Sequence, residues 1–229
     1  MSQADEAPQV LVRAVKSRGA PQARKRDESG VRATPSRGAQ SRVIRIIGGS
    51  WRGRRFRFAD VPDIRPTPDR VRETLFNWLG TRVNGARCFD VFAGSGALGL
   101  EALSRGAMSV RFIEQNAAVA RALSELLTEW RAQHARVERA DALRILSGPA
   151  ERFDIVFLDA PFASGALSEA AALLEKRSWL APGALIYVEC SAREPLPPLP
   201  AGWRPLKAKR AGEVGYHLFE RAAGGAAPE

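Results

Sequence analysis

"FDVFAGSGALGLEAL", residues 89–103, decides the fold. Cys88 to Phe92 form an apolar run broken by a single carboxylate, Asp90, and read as a core strand. Gly94-Ser95-Gly96-Ala97-Leu98-Gly99 follows, and from about residue 97 to 105 the pattern is helical. Glycines let a backbone turn sharply and let a ligand approach closer than any Cβ would permit. The spacing G-x-G-x-x-G is weak alone, because close helix packing explains it equally well. Here it sits between a strand and a helix, which is the setting a cofactor loop requires.

Working outward, the same alternation continues. Strands are expected at 110–114, 135–139, 153–159 and 184–190, and helices at about 117–131, 142–147 and 166–177. An Ala-Pro-Gly turn is expected at 181–183, and "WRPLKAKR" and "GYHLFER" read as a closing antiparallel pair. Apolar strands separated by helices predict an α/β fold, a mostly parallel seven-stranded sheet with helices on both faces. Upstream, "VIRIIGGSWRGRRFRF" (43–58) reads as a β-hairpin. Pro66 and Pro68 then hold the chain extended before the helix "RVRETLFNWL", with Thr67 or Asp69 as its cap and Val71, Leu75, Trp78 and Leu79 on one face.

Ligands of such sheets bind beyond the carboxyl ends of the strands. Glu114 ends the second strand of this series, twenty residues after Gly94, where an acid accepts hydrogen bonds from ribose hydroxyls. Glycine loop and acid together imply a nucleotide-like ligand and would also suit a nicotinamide cofactor. Asp90 argues against the latter, since dinucleotide binders usually place an apolar residue there; its carboxylate could instead reach an ammonium. Asp141 is a further acceptor at that edge and equally a helix N-cap.

The fourth strand of the series ends in Asp159-Ala160-Pro161-Phe162. An unpaired carboxylate is costly to bury, so Asp159 is expected to face the cleft. Asp159 and the Ala160 carbonyl are two acceptors suited to the two hydrogens of an exocyclic amine, whose lone pair is otherwise delocalised into the base. Phe162 could stack on that base. A turn in which Pro161 stops the strand and Phe162 packs inward is the plainer alternative.

The 229 residues carry a net charge of +10, placed unevenly. Residues 1–42 and 43–85 each hold nine Lys/Arg against four Asp/Glu, while residues 86–229 hold 17 of each. A basic extension on a neutral domain suits a polyanion. Residues 1–42 lack a hydrophobic period and read as a disordered basic tail, 43–85 as an RNA-binding hairpin and helix, 86–221 as the catalytic domain, and 222–229 as a second disordered tail. No apolar run is long enough to span a membrane, and four acids near the start fit a transit peptide poorly. Cys88 and Cys190 read as buried free thiols of a reducing, cytoplasmic compartment. His134 and His217 show no metal-ligand spacing and are expected at the surface, so no metal is expected.

"DVFAGSGALGLEAL", Glu114 and "DAPF" together resemble a class I S-adenosylmethionine-dependent methyltransferase, Rossmann-like, acting on amines of nucleobases. "IRIIGGSWRGR", "RPTPDRVRETLFNWL", "LSRGA", "WLAPGALIYVE" and "AGEVGYHLF" narrow the resemblance, over residues 43–221, to the RsmD family. That family methylates the guanine N2 of one nucleotide, guanine 966, in 16S ribosomal RNA. The resemblance implies that Asp90 and Gly94, Ser95 and Gly96 hold the methionine part of S-adenosylmethionine, Glu114 its ribose, and Asp141 with Ala142 its adenine. Ala93, Leu98 and Gln115 would also bind the cofactor, and Asp159 to Phe162 the target guanine. Ala160 stands where the family usually has proline, which removes a fixed φ but keeps the backbone carbonyl. Asn116 stands where an acid is common.

The implied reaction is direct transfer to a base taken out of its stack. Arg52, Arg54, Arg55, Arg57, Arg70 and Arg72 are candidates for gripping phosphates, with Trp51 as a stacking platform. The implied partner is 16S ribosomal RNA, within the assembled or assembling small subunit, bound by a monomer. Two rival functions are N6-methylation of adenine in DNA or RNA, and a non-catalytic RNA-binding assembly factor with a vestigial cofactor fold.

Overall fold

A computed structural model describes residues 43–58, 66–161 and 165–222. The tail 1–42, Phe162 and the C-terminal residues from 223 onward, on which expectations fell, lie outside the described residues. Strands β1 (Val43–Arg45) and β2 (Arg55–Arg57) pair antiparallel as the expected hairpin. Helix α1 (Asp69–Leu79) and a 3-10 turn at Gly80–Val83 lead into β3 (Arg87–Asp90) and α2 (Ala97–Ser104). Then come β4 (Ser109–Glu114), α3 (Ala117–Glu129), β5 (Ala135–Arg139), α4 (Ala142–Leu146), β6 (Phe153–Leu158) and α5 (Ala166–Lys176). The chain closes with β7 (Leu180–Ser191), β8 (Trp203–Ala211) and β9 (Val214–Arg221).

The seven strands lie in the order β5-β4-β3-β6-β7-β9-β8. β3 to β7 are mutually parallel, and β9 enters antiparallel between β7 and β8. Helices cover both faces. On one, Leu75, Phe76, Leu100 and Leu123 pack over Cys88, Phe112, Phe157 and Tyr187; on the other, Leu146, Leu174 and Trp179 pack over Phe89, Val156 and Val188. The expected alternation is therefore right.

Three local details differ from expectation. No turn occurs at 181–183: β7 already begins at Leu180, and its register against β6 shifts between Phe153 and Ile155. Gly183, at φ 68°, absorbs the irregularity that a residue with a Cβ would resist. Neither Thr67 nor Asp69 caps α1: its N-cap is Pro68, without a side-chain bond. His134 is exposed as expected, but His217 is half-buried and stacks on Phe219 at 6.2 Å. Cys88 and Cys190 are buried free thiols, and burial raises both thiol pKa values, which keeps them in the unreactive form.

The hairpin joins the larger sheet through polar contacts as well as apolar ones. Glu101 of α2, fully buried, accepts the Ile47 and Gly48 amides at 2.8 Å each and pairs with Arg72 at 3.3 Å and Arg105 at 2.8 Å. Ser104 Oγ accepts the Trp51 amide at 2.9 Å, and its carbonyl accepts the Ser50 amide at 2.7 Å. Gly49, at φ 77°, passes so close to Ser104 that an added Cβ would sit 1.8 Å from the carbonyl oxygen. Glycine is required there on two counts. No described helix is long and apolar enough to cross a membrane.

Candidate active site

Parallel strands bring their carboxyl ends to one edge, and β3 is where the chain order reverses, with β4 on one side and β6 on the other. Such a switch point opens a crevice. Register then decides which side chains meet. Asp90 pairs with Phe112 of β4 and Phe157 of β6, and Phe157 pairs with Tyr187 of β7. Side chains alternate with period two along each strand, so Glu114, Asp90, Asp159 and Glu189 share one face of the sheet, one acid per neighbouring strand. It is the face covered by α1, α2 and α3.

Glu114 is only 8% exposed. Its two oxygens accept the Gly94 amide at 2.9 Å and the Asn116 amide at 2.6 Å. A carboxylate has about four lone-pair positions, so acceptor capacity remains for two hydroxyls. Asn116 itself caps α3, accepting from the Ala118 and Val119 amides. Gln115 beside it is exposed.

The glycine loop divides its work among three residues. Gly94 and Gly96 have φ 48° and 74°, values that L side chains resist. Gly99 serves packing: a Cβ there would lie 2.2 Å from Phe112. Asp90 Oδ2 accepts the Gly99 amide at 3.0 Å and so ties the first turn of α2 to the sheet. Burial raises the Asp90 pKa to about 7. Ser95 and Ala93 are buried within the loop, whereas the Leu98 side chain packs in the core, so a ligand contact there falls to its backbone. Asp141 caps α4 by accepting the Arg144 amide at 2.8 Å, and Ala142 behind it is buried.

Asp159 follows the last residue of β6 and remains partly exposed, as expected of a cleft residue. Its pKa stands well above the usual carboxylate range, first through burial and then through the negative charges of Glu189 and Asp90; a hydrogen bond from Thr67 opposes the rise. Burial raises the Glu189 pKa as well; this acid is buried and accepts the Tyr187 hydroxyl at 2.7 Å. Ala160 is buried in the core and Pro161 is exposed. Packing thus restrains the corner where a proline ring would otherwise do so. A groove of about 80 Å³ runs beside it, lined by Ala160, Pro161, Leu167, Cys190 and Glu194 among others.

Thr67, Tyr187 and Glu189 were missed by the sequence reading. Glu189 had a signal, an acid inside the apolar run "ALIYVEC"; Thr67 had none, because nothing local says that a residue before α1 reaches β6. Among the described residues no group of three His, Cys, Asp or Glu could hold a metal ion.

Arg52, Arg54, Arg55, Arg57 and Arg70 are exposed, as groups that grip phosphates must be. Arg72 is not: it is fully buried, bonds the Thr67 and Arg45 carbonyls, and pairs with Asp69 and Glu101. It holds α1 to α2 and cannot grip RNA from there. Trp51 is half-buried with its ring edge-on to Trp130 at 5.1 Å, so its main contact is packing, while Arg54 lies 5.3 Å over the same Trp130 ring.

The residues present fit an S-adenosylmethionine-type ligand: a bare glycine turn, a row of strand-end carboxylates for hydroxyl and ammonium groups, and a polar corner one strand away. Fold and site together define an S-adenosylmethionine-dependent methyltransferase of the Rossmann-like class. A family model described as conserved hypothetical protein 95 matches residues 44–220, and the chain belongs to this family, that of RsmD. Ribosomal RNA small subunit methyltransferase D of Escherichia coli K12 is 50% identical over 182 residues, 80% of this chain and 92% of its own length. The solved Escherichia coli protein yhhF superposes with a TM-score of 0.75 at 49% identity, over 80% of this chain and 99% of that one. The Thermus thermophilus 16S rRNA N2 G1207 methyltransferase, solved with AdoMet and guanosine, gives a TM-score of 0.53 at 25% identity over 78% of this chain and 49% of its own.

Proposed function

We propose that this protein methylates the exocyclic N2 amine of a guanine in 16S ribosomal RNA, using S-adenosylmethionine. The observation that carries this reading is Asp159, a carboxylate at the end of a core strand, beside the switch-point crevice that the glycine loop and Glu114 border. The names of its relatives agree with it. The nucleotide is guanine 966, met within the assembled or assembling small subunit by a cytoplasmic monomer.

When bound, S-adenosylmethionine supplies a sulfonium methyl, whose C–S bond breaks with its electron pair left on sulfur as the N–C bond forms. The protein does the rest. Gly94 to Gly96 and Asp90 orient the methionine end, Glu114 with Gln115 the ribose, and Asp141 with Ala142 the adenine. Asp159 and the Ala160 carbonyl accept the two amine hydrogens and turn the nitrogen lone pair toward the methyl, an arrangement prepared for the transition state. Asp159 then takes the proton that the methylated nitrogen releases. Pro161 flanks the base, and the exposed arginines of the hairpin and α1 hold phosphates.

The test is incubation of the full chain with methyl-labelled cofactor and small subunits lacking this modification, alongside naked 16S RNA, followed by mapping of the label. Label on guanine N2 is expected. Label on adenine N6 would replace this reading, and cofactor binding by calorimetry with no label on any RNA would make the protein a binding factor.

A further inference from the structure

Residues 86–229 are neutral in sum, yet β8 is not. Its nine residues, "WRPLKAKRA" (203–211), hold Arg204, Lys207, Lys209 and Arg210 and no acid. All four cations are exposed. Arg204 pairs with Glu220 of β9, and Arg210 donates through Nε to the Gly212 carbonyl at 2.8 Å. The acids of the β8–β9 pair, Glu213 and Glu220, are held by Arg193 and by Arg82 and Arg204. Lys207 and Lys209 are left without an acid partner among the described residues.

Register decides where these two lysines point. β8 is an edge of the sheet; Lys209 lies opposite Tyr216 of β9, and Tyr216 opposite Glu189 of β7. Leu158 pairs with Val188, so Asp159 and Glu189 are the next two in line. Opposed residues of neighbouring strands share a face. Asp159, Glu189, Tyr216 and Lys209 therefore form one row, and Lys207, opposite Leu218, points the same way. Tyr216 and Leu218 lie in the core on that face, beneath α1, whose Trp78 stacks on Tyr216 at 5.3 Å. Arg210, opposite Gly215, points to the other face. From β6 to β8 is three strand spacings, about 14 Å.

The hairpin stands on the far side of the crevice from this edge. It is seated on Ser104 of α2 and against Trp130 at the end of α3, and these helices pack over β3, β4 and β5. Resting on the methyltransferase reading above, we propose that β8 is a second RNA-gripping edge, where Lys207 and Lys209 take phosphates of the strand on the side of the target guanine away from the hairpin. A base drawn out of its stack is held in place only if its backbone cannot follow it, and that requires a grip on both sides. Lysine suits the task, being a compact charge on a flexible stem that meets a phosphate without demanding one geometry. Lysines also guard sheet edges against pairing with other chains. β8 has that protection already, since Pro205 offers no amide and the register slips between Pro205 and Lys207. Guarding is indifferent to face, and both unpaired lysines are on the catalytic one.

The test measures binding of the full chain, across a salt series, to small subunits lacking the modification and to naked 16S RNA. Lys209→Gln and Arg210→Gln remove equal charge from adjacent residues on opposite faces. On both substrates Lys209→Gln should lower the slope of log affinity against log salt by about 0.7 to 0.9, and the Lys207→Gln, Lys209→Gln double variant by about 1.4 to 1.8. Lys209→Arg and Arg210→Gln should keep the parent slope. Unchanged slopes throughout would reduce the lysines to edge guards, and equal losses from Lys209→Gln and Arg210→Gln would mean that net charge alone acts; either result overturns the proposal. A loss on subunits with none on naked RNA would assign the edge to an acidic ribosomal protein and overturn it equally. Position is read separately: Cys88 and Cys190 are buried, so an iron–EDTA group attached at position 209 of the Lys209→Cys variant cleaves RNA close to that side chain. Cuts within a few nucleotides of the target guanine are expected, and none there from Arg210→Cys. A parent protein that binds RNA with these slopes but methylates no guanine would overturn the functional reading and leave the edge standing.

Discussion

Arg72 Nη1 of α1 lies 3.3 Å from Glu101 Oε2 of α2, and neither side chain reaches solvent. The pair joins the N-terminal helix to the helix that follows the glycine loop. Losing Glu101 leaves Arg72 with Asp69 as its remaining partner, so the cost is below the about 3–5 kcal/mol of a fully stranded buried charge. Glu101→Gln should therefore lower the urea unfolding free energy by about 1–3 kcal/mol. It would also weaken the hold on the Ile47 and Gly48 amides, visible as faster hydrogen exchange in the hairpin. A variant as stable as the parent would show that apolar contacts alone seat the hairpin.

Asp159→Ala should reduce methyl transfer by about 100- to 1000-fold, the scale of removing one preorganised charge-stabilising group. S-adenosylmethionine affinity, read by calorimetry, should stay essentially unchanged, because the proposed cofactor contacts lie on β3, β4 and α4. Near-normal turnover in this variant would remove the amine contact from the mechanism.

Burial raises the Asp90 pKa from 3.8 to about 7. Between those values the folded chain keeps a proton that the unfolded chain has released, so stability falls as pH rises through the window and levels off above it. The slope attributable to this group is at most about 1.4 kcal/mol per pH unit. Asp90→Asn keeps an oxygen for the Gly99 amide and cannot ionise. It should gain stability relative to the parent at pH 8 and very little at pH 4, measured by urea midpoints at both values. A gap independent of pH would mean that Asp90 titrates normally.

Arg55 and Arg57 flank the buried Phe56 on an exposed strand, whereas Arg72 is sealed inside. Arg55→Gln and Arg57→Gln should weaken RNA binding and lower the slope of log affinity against log salt by about 0.7 to 0.9 for each phosphate that is no longer neutralised. Neither should change the unfolding midpoint much. Arg72→Gln should do the reverse, losing stability while the salt slope holds.

The sheet was legible because its signals are local. Alternating strands and helices, the glycine loop, and single acids at the ends of apolar runs each declare themselves within about fifteen residues, and all of these fall where they were expected. Arg72 was misread for the converse reason: beside Arg70 and near four other arginines it looks like one more surface charge, and only helical phase together with a partner 29 residues on sends it inward. The Ala-Pro-Gly stretch at 181–183 has the composition of a turn, yet tertiary pairing with β6 draws it into β7 as an irregularity. Thr67 reads as a helix cap from its neighbours, yet Pro68 takes the N-cap and Thr67 is buried, which no local pattern announces.

The Ile47 amide finds its acceptor 54 residues further along, on Glu101. During synthesis the arm that carries the arginines leaves the ribosome well before its anchor exists. At about 5–20 residues per second the delay is roughly three to eleven seconds. For that interval the arm has its arginines but not its acceptors, and only the arrival of α2 supplies the carboxylate that holds it.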